Sequence, residues 1–332
     1  MTKNTHELLE TPYFLVGAER SGSTLLRLML DSHPNIAFTE EFEYSVEQIQ
    51  DNAFPELNDF YDFLETNRPF QGSGFKINKD LTYPELIDSF LQKREKRKQA
   101  IAVGATIHFG FKKVLLIWPN AKFIHLIRDP RNVSPSVIKM GWAHDTYHGA
   151  TKWIDAETEW DKLIPEIKSE QYITVRFEDL MKDYKSELKK ICEFMGEEYT
   201  EKMMSYADET EYDIPSPIRA QNWRTSLGDR QIQLIETRTH ELMQRRGYKL
   251  SGTKIIEVSK FDLQKLKALT RIKTFKSGFS KYGFFLYAQS FISRRLPFEK
   301  WKKSVSIKQN AIDNTNRKQS WRATEKSETY AR

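Results

Sequence analysis

The sequence predicts an α/β protein in three layers, with a central, mainly parallel β-sheet flanked by helices. Three short apolar runs, TPYFLVG, AKFIHLI and QYITVRF, each read as a buried strand. Each is followed within a few residues by a segment of helical periodicity. Repeated strand–helix order builds parallel sheets, because the crossover helix carries the chain back to the edge where the next strand starts.

In the first unit TPYFLVG ends at Gly17, and from Gly22 the apolar positions Leu25, Leu26, Leu28 and Met29 continue as a helix until Ser32–Pro34 breaks it. A short strand follows, and two acids, Glu40 and Glu41, come after it. The stretch from Glu43 to Ile101 reads as a helical insertion, in which the lysine-rich Gln92–Gln99 is a solvated face or loop. In the second unit AKFIHLI is a strand, and Pro130, tolerated in a first helical turn, opens the helix of RDPRNVSPSVIKM. In the third, QYITVRF leads into EDLMKDYKSELKKICEFMG, with Asp179 expected as N-cap and Gly196 as C-terminal stop.

With 332 residues, 39% hydrophobic and 30% charged, the chain can bury the core of one large or two ordinary domains. Its single cysteine, Cys192, excludes an internal disulfide and shares helical spacing with Leu188, Ile191 and Met195, as a packed core residue does. MTKNTHELLETPYF has no apolar stretch of signal-peptide length, so a cytoplasmic location is expected. The net charge of +6 is unevenly spread. Residues 251–332 hold 19 Lys and Arg against 6 Asp and Glu, or +13; +6 less +13 leaves −7 for residues 1–250. An acidic body argues against nucleic acid as a partner.

The chemistry starts at VGAERSGSTLLRLML. Against the phosphate-loop pattern G-x-x-x-x-G-K-[ST] it fits at Gly17, Gly22 and Thr24, but the lysine position holds Ser23. Backbone N–H groups of such a loop, at the start of a helix, form an anion nest whatever the side chains. Arg20 supplies the cation from the other side of Gly22, as a planar fork suited to two oxygens, and Ser21, Ser23 and Thr24 add hydroxyl donors. In the second unit Arg128 ends a strand and Ser136 lies about two turns into the next helix, so both can point to the sheet's carboxyl edge. Arginine plus hydroxyl there suits a second phosphate. Two anion positions suggest a nucleotide with phosphates at two places. The alternative is a phosphate-loop NTPase or small-molecule kinase, which needs a carboxylate for Mg²⁺; Arg128 directly before Asp129 makes that position awkward.

GAERSGSTLLRLMLDSHP followed by Glu40-Glu41 resembles the 5′-phosphosulfate loop of sulfotransferases, close in pattern to the tyrosylprotein and bacterial branches. NAKFIHLIRDPRNVSPSVI resembles that family's 3′-phosphate segment, RFEDLMKD its YEDL segment, and PSPIRAQNWRTSLG its last cofactor-contacting segment. The resemblance runs in patches from about Tyr13 to Tyr248 and implies a phosphate-loop-like fold with a catalytic domain over residues 1–250. It implies 3′-phosphoadenosine 5′-phosphosulfate (PAPS) as sulfuryl donor, adenosine 3′,5′-bisphosphate (PAP) as product, and no metal. By resemblance Arg20, Ser21, Gly22, Ser23 and Thr24 serve the 5′-phosphosulfate, and Arg128 and Ser136 the 3′-phosphate. Arg224, beside Trp223, is a further cofactor candidate, although Asn222 stands where many relatives carry a basic residue.

Transfer to a hydroxyl also needs a general base. Glu41 falls in the register of the tyrosylprotein enzymes' catalytic glutamate, counted from Arg20, with Glu40 facing elsewhere or supporting the loop. His108, in GATIHFGF, is the alternative base, since cytosolic relatives use histidine; His33 and His125 read as structural. The acceptor, a hydroxyl on a peptide, carbohydrate or lipid-linked molecule, would be met by Glu43–Phe75 and Trp142–Trp160, where Phe42, Tyr44, Trp142 and Tyr147 suit a ring or pack in the core.

The extension over 251–332 lies outside the resemblance. FKSGFSKYGFFLYAQSFISRRLPFEKW mixes aromatic rings with lysines and arginines; it is too short and too charged to span a bilayer. Rings settle at head-group depth, and each nearby cation adds about 1 kcal/mol toward an anionic leaflet. Residues 251–310 are therefore expected either to dock on an anionic membrane surface, making the enzyme peripheral, or to pack on the catalytic body. The end from Asn310 onward is expected to be disordered.

Overall fold

The computed structural model describes residues 7–217, 223–298, 300–313 and 315 of the chain. Among them, five parallel strands form one sheet: β1 (Tyr13–Val16), β2 (Ile36–Glu41), β3 (Ala102–Ile107), β4 (Lys122–Ile127) and β5 (Tyr172–Arg176), side by side in the order β2-β3-β1-β4-β5. Phe14 and Leu15, adjacent in β1 and pointing to opposite faces, are both fully buried, which is why the central strands are apolar throughout rather than alternating.

Helices cover both faces. Helix α1 (Ser23–Asp31) follows β1, and the insertion supplies α2 (Leu57–Thr66), α3 (Arg68–Ser73) and α4 (Tyr83–Lys98). After β4 come α5 (Pro130–Lys139), α6 (Thr146–Gly149) and α7 (Thr151–Leu163). Beyond β5 lie α8 (Phe177–Lys182), α9 (Tyr184–Met195), α10 (Tyr206–Glu209), α11 (Trp223–Ser226), α12 (Asp229–Arg245) and α13 (Lys260–Ser293). One face packs on Leu26, Met29, Leu188 and Ile191 of α1 and α9, the other on Phe60, Phe90, Val137 and Trp153 of α2, α4, α5 and α7. Each such side chain, removed from water, contributes roughly 1.5–3 kcal/mol.

The strand order decides where a ligand can bind. From β1 the chain crosses over α1 to β2 on one side, while from β4 it crosses to β5 on the other. Neighbouring strands whose connections leave in opposite directions open a crevice at their carboxyl ends. The loops carrying Arg20 and Arg128 leave the sheet at that crevice.

Several expectations change. Asp179 is not an N-cap: α8 starts directly after β5, with Asp179 inside its first turn. Asp183 instead leaves helical geometry and accepts the Ser186 N–H at 3.1 Å, so one expected helix becomes two. Within Gln92–Gln99, Arg94 and Lys98 turn inward onto Asp31 instead of remaining solvated. Phe42 and Tyr44 belong to the core, whereas Trp142 is half exposed. Residues 310–313 are helical, and of the expected disordered end, 314 and 316–332 lie outside the described residues, as does Asn222. Cys192 and Gly196 sit as expected, the cysteine fully buried with its thiol pushed up to about 11 by burial, and the glycine at the end of α9. His33 bonds Glu198 O and His125 stacks on Trp160, both structural.

Candidate active site

The loop between β1 and α1 is shaped to face an anion. Ser21 N–H donates to Ala18 O at 3.1 Å, closing a tight turn. Arg20 sits at φ 72°, a conformation that costs a non-glycine residue on the order of 1 kcal/mol and that concentrates at functional sites. Gly22 caps α1 at φ 99°, and a Cβ there would lie 2.3 Å from the Phe177 ring, so no other residue fits. No side chain caps α1, which leaves its first amide groups to an incoming acceptor, with Ser23 and Thr24 in that first turn. The Ser21 hydroxyl is buried without a hydrogen bond. An orphaned donor, open amides and a cation in one loop fit a sulfate- or phosphate-bearing group.

The second segment closes on the first. Arg20 Nε donates to Ser136 Oγ at 3.0 Å, and Arg128 Nη1 donates to Arg20 O at 3.2 Å. The two candidate anion positions are therefore contiguous. Arg128 lies 4.2 Å over the Phe177 ring, and its own carbonyl accepts Trp153 Nε1–H at 2.8 Å. Burial disfavours the Arg128 charge, Glu178 and Asp129 support it, and Arg20 adds to the penalty, so an anion placed between the arginines would relieve both. Phe177 and Glu178 give RFEDL its local purpose: the ring separates Gly22 from Arg128, and the Glu178 carboxylate accepts Asp129 N–H at 2.9 Å. Asp129 spends both oxygens on Arg131, at 2.9 and 2.6 Å. Arg224 stacks over Trp223 at 4.6 Å, and Trp223 is held against α5 by the Asn132 side chain at 3.0 Å and by Arg131 at 3.8 Å.

The acids line the other rim. Glu40 leans on Arg27 of α1 at 3.7 Å, and Glu41 on Arg68 of α3 at 4.0 Å, so the neighbours face apart as expected. Glu41 remains half exposed. His108 follows β3 and lies against the loop: its Nδ1 is 2.8 Å from Gly17 O and its Nε2 3.5 Å from Ser23 Oγ. A carbonyl only accepts, so Nδ1 bears a proton and donates it, which turns Nε2 toward the Ser23 hydroxyl.

Sequence reasoning missed Glu43. It accepts the His108 backbone N–H at 3.1 Å. Burial pushes its carboxyl up to about 7, with the nearby Glu41 and Glu19 adding to the rise and His108 opposing it. Because the folded value lies above the ordinary 4.5, the stabilising contribution is full below about pH 4.5 and is lost as pH rises through about 7. Glu43→Gln keeps an oxygen for the His108 amide and removes the buried charge. In urea titrations across that range it should match wild type in acid and become more stable by about 3 kcal/mol above pH 7. A gap independent of pH would contradict the shift.

The sulfotransferase family profile matches residues 12–201. The omega-hydroxy-beta-dihydromenaquinone-9 sulfotransferase Stf3 of Mycobacterium bovis is 24% identical over 303 residues, covering 73% of this chain and 76% of that protein, and its Mycobacterium tuberculosis counterpart matches equally. Among solved structures, the sulfotransferase domain of the Synechococcus PCC 7002 olefin synthase shares the fold with a TM-score of 0.51 at 18% identity, over 75% of this chain and 98% of that domain. The matched span holds the loop, Arg128, Ser136 and the RFEDL segment, and the chain belongs to the sulfotransferase family, as a PAPS-dependent enzyme.

Proposed function

We propose that the protein moves a sulfuryl group from PAPS to the hydroxyl of a lipid-linked or membrane-borne acceptor, with Glu41 as general base. The observation that carries the donor half is the contiguous Arg20–Arg128–Ser136 cluster beside the orphaned Ser21 hydroxyl. When bound, the donor supplies an electrophilic sulfuryl group. Arg20 and the loop amides hold the charge that develops on the transferred oxygens, and Arg128 with Ser136 anchors the 3′-phosphate. Glu41, at the open end of β2, takes the acceptor proton. Among peptide, carbohydrate and lipid-linked hydroxyls, the last is supported by the mycobacterial relative, named for a hydroxylated menaquinone.

A second reading gives the base to His108, favoured by its Nε2, which lies 3.5 Å from Ser23 Oγ on the donor loop. The kinase alternative is disfavoured by Asp129, whose carboxylate is committed to Arg131.

Thermal shifts test the donor site. PAP should stabilise the protein more than ATP with Mg²⁺ does. Arg128→Ala and Ser136→Ala should each weaken PAP, by about 10–100-fold for the arginine, and barely change the affinity for adenosine 5′-phosphate. Equal losses for both nucleotides refute the 3′-phosphate site, and a larger shift with ATP and Mg²⁺ returns the kinase reading.

A further inference from the structure

The extension folds into a structure that grips the body yet leaves its rings bare. Helix α13 breaks at Gly283 (φ 74°, ψ 163°), giving one arm before it and one after. A further helix over 300–313 runs back along the second arm, joined by Ser290 Oγ to Gln309 Oε1 at 3.0 Å, by Tyr282 OH to Asp313 at 3.0 Å and by Lys281 to Asp313 at 2.9 Å.

This assembly is fastened at two places. The first arm holds the loop before α6, with Thr270 Oγ1 on Asp145 at 3.1 Å and Thr274 Oγ1 2.9 Å from His144 Nε2. The returning helix holds α2, with Lys303 on Asp62 at 3.0 Å and Glu65 at 2.5 Å, and Asn310 on Thr66 O at 2.8 Å. Both grips lie beside the active site. Arg68, two residues past Thr66, meets Glu41, and the His144 loop follows the helix that carries Ser136.

Around the break, Phe279 stacks on Phe284 at 5.3 Å and packs edge-on to Phe275 at 4.4 Å, with Tyr287 against Phe275 and Phe279, and the outer rings of the cluster stay open to solvent. Phe284 is 62% exposed and Phe285 80%. Of the 17 large apolar side chains exposed among the described residues, ten lie between 251 and 310, so the bareness belongs to this segment and not to the surface at large. Contiguous bare rings on a folded protein mark an interaction surface. The cations beside them fix the partner's sign: Lys276 and Arg294 are exposed, Arg295 stacks on Phe291 at 3.5 Å, and Lys300 and Lys308 line a surface recess with Ile307. No helix among the described residues is long and apolar enough to cross a membrane.

We infer that residues 251–310 form a docking surface for an anionic lipid bilayer, which the rings around Gly283 enter to head-group depth while the flanking lysines and arginines meet lipid phosphates. The two grips then hold the rim that carries Glu41 near the membrane. Only this last consequence rests on the proposed acceptor; the docking itself does not.

Full-length protein sedimented with vesicles tests it. It should pellet with phosphatidylcholine vesicles that contain phosphatidylglycerol, at least ten-fold less with phosphatidylcholine alone, and less at high salt. Phe284→Ser with Phe285→Ser should lose at least ten-fold of that partition, and Lys276→Glu with Arg294→Glu should lose most of it, each keeping the PAP-induced thermal shift. Because the charge-reversal pair touches no packed ring, it decides the case if the serine pair fails to fold. No pelleting at low salt, equal pelleting by the variants, or equal partition onto neutral vesicles overturns the inference. So does a dimer in gel filtration that Phe284→Ser with Phe285→Ser dissociates, since a second copy would then cover the rings. Vesicle binding without sulfuryl transfer would leave the docking intact and count against the proposed function alone.

Discussion

Arg20→Ala lowers sulfuryl transfer by about 10²–10³ and weakens PAP binding, because it removes the one side-chain cation inside the loop where lysine is absent. The test isolates the side chain, since alanine bears the same backbone cost at φ 72° that arginine does. Arg20→Lys recovers part of the loss: a point charge reaches one oxygen where the fork reaches two, and it leaves the Ser136 hydroxyl without its Nε–H donor. Isothermal titration with PAP and single-turnover assays with PAPS separate binding from transfer. Wild-type affinity and turnover in Arg20→Ala would mean that the loop does not hold the donor's charged group.

Glu41→Gln lowers kcat by about 10²–10⁴ with PAP affinity nearly unchanged, because glutamine retains the shape but cannot take the acceptor's proton. The side chain is half exposed and its ion pair to Arg68 is long at 4.0 Å, so the substitution leaves no buried charge behind. His108→Ala is the counterpart. It removes the Nδ1–H bond to Gly17 O and should loosen the loop, raising the KM for PAPS more than it lowers kcat. Normal turnover in Glu41→Gln beside an inactive His108→Ala would transfer the role of base to the histidine.

Most of the candidate donor side was legible in local pattern. The apolar run ended by Gly17, the arginine before Gly22 and the Arg128–Ser136 spacing are statements about a few consecutive residues, and such segments carry their anion-binding geometry in the backbone itself. The acceptor side was less legible. Glu43 and His108 are 65 residues apart, and the contact between them depends on β3 pairing with β2. Phe177 was visible as part of RFEDL, but its place between Gly22 and Arg128 was not.

By itself the sequence determined the α/β class, the strand-to-helix loop with its arginine, and the acidic body joined to a basic, aromatic extension, because composition, period and loop chemistry act over short spans. Lateral strand order was decided only by tertiary structure. A parallel crossover can place the next strand beside its predecessor or beyond a neighbour without altering either strand's pattern. The insertion of β3 between β2 and β1 therefore put His108 against Ser23 and Glu43 against His108. The break at Gly283 likewise decided that the extension's rings gather into one bare cluster, since a straight helix would have spread them along its length.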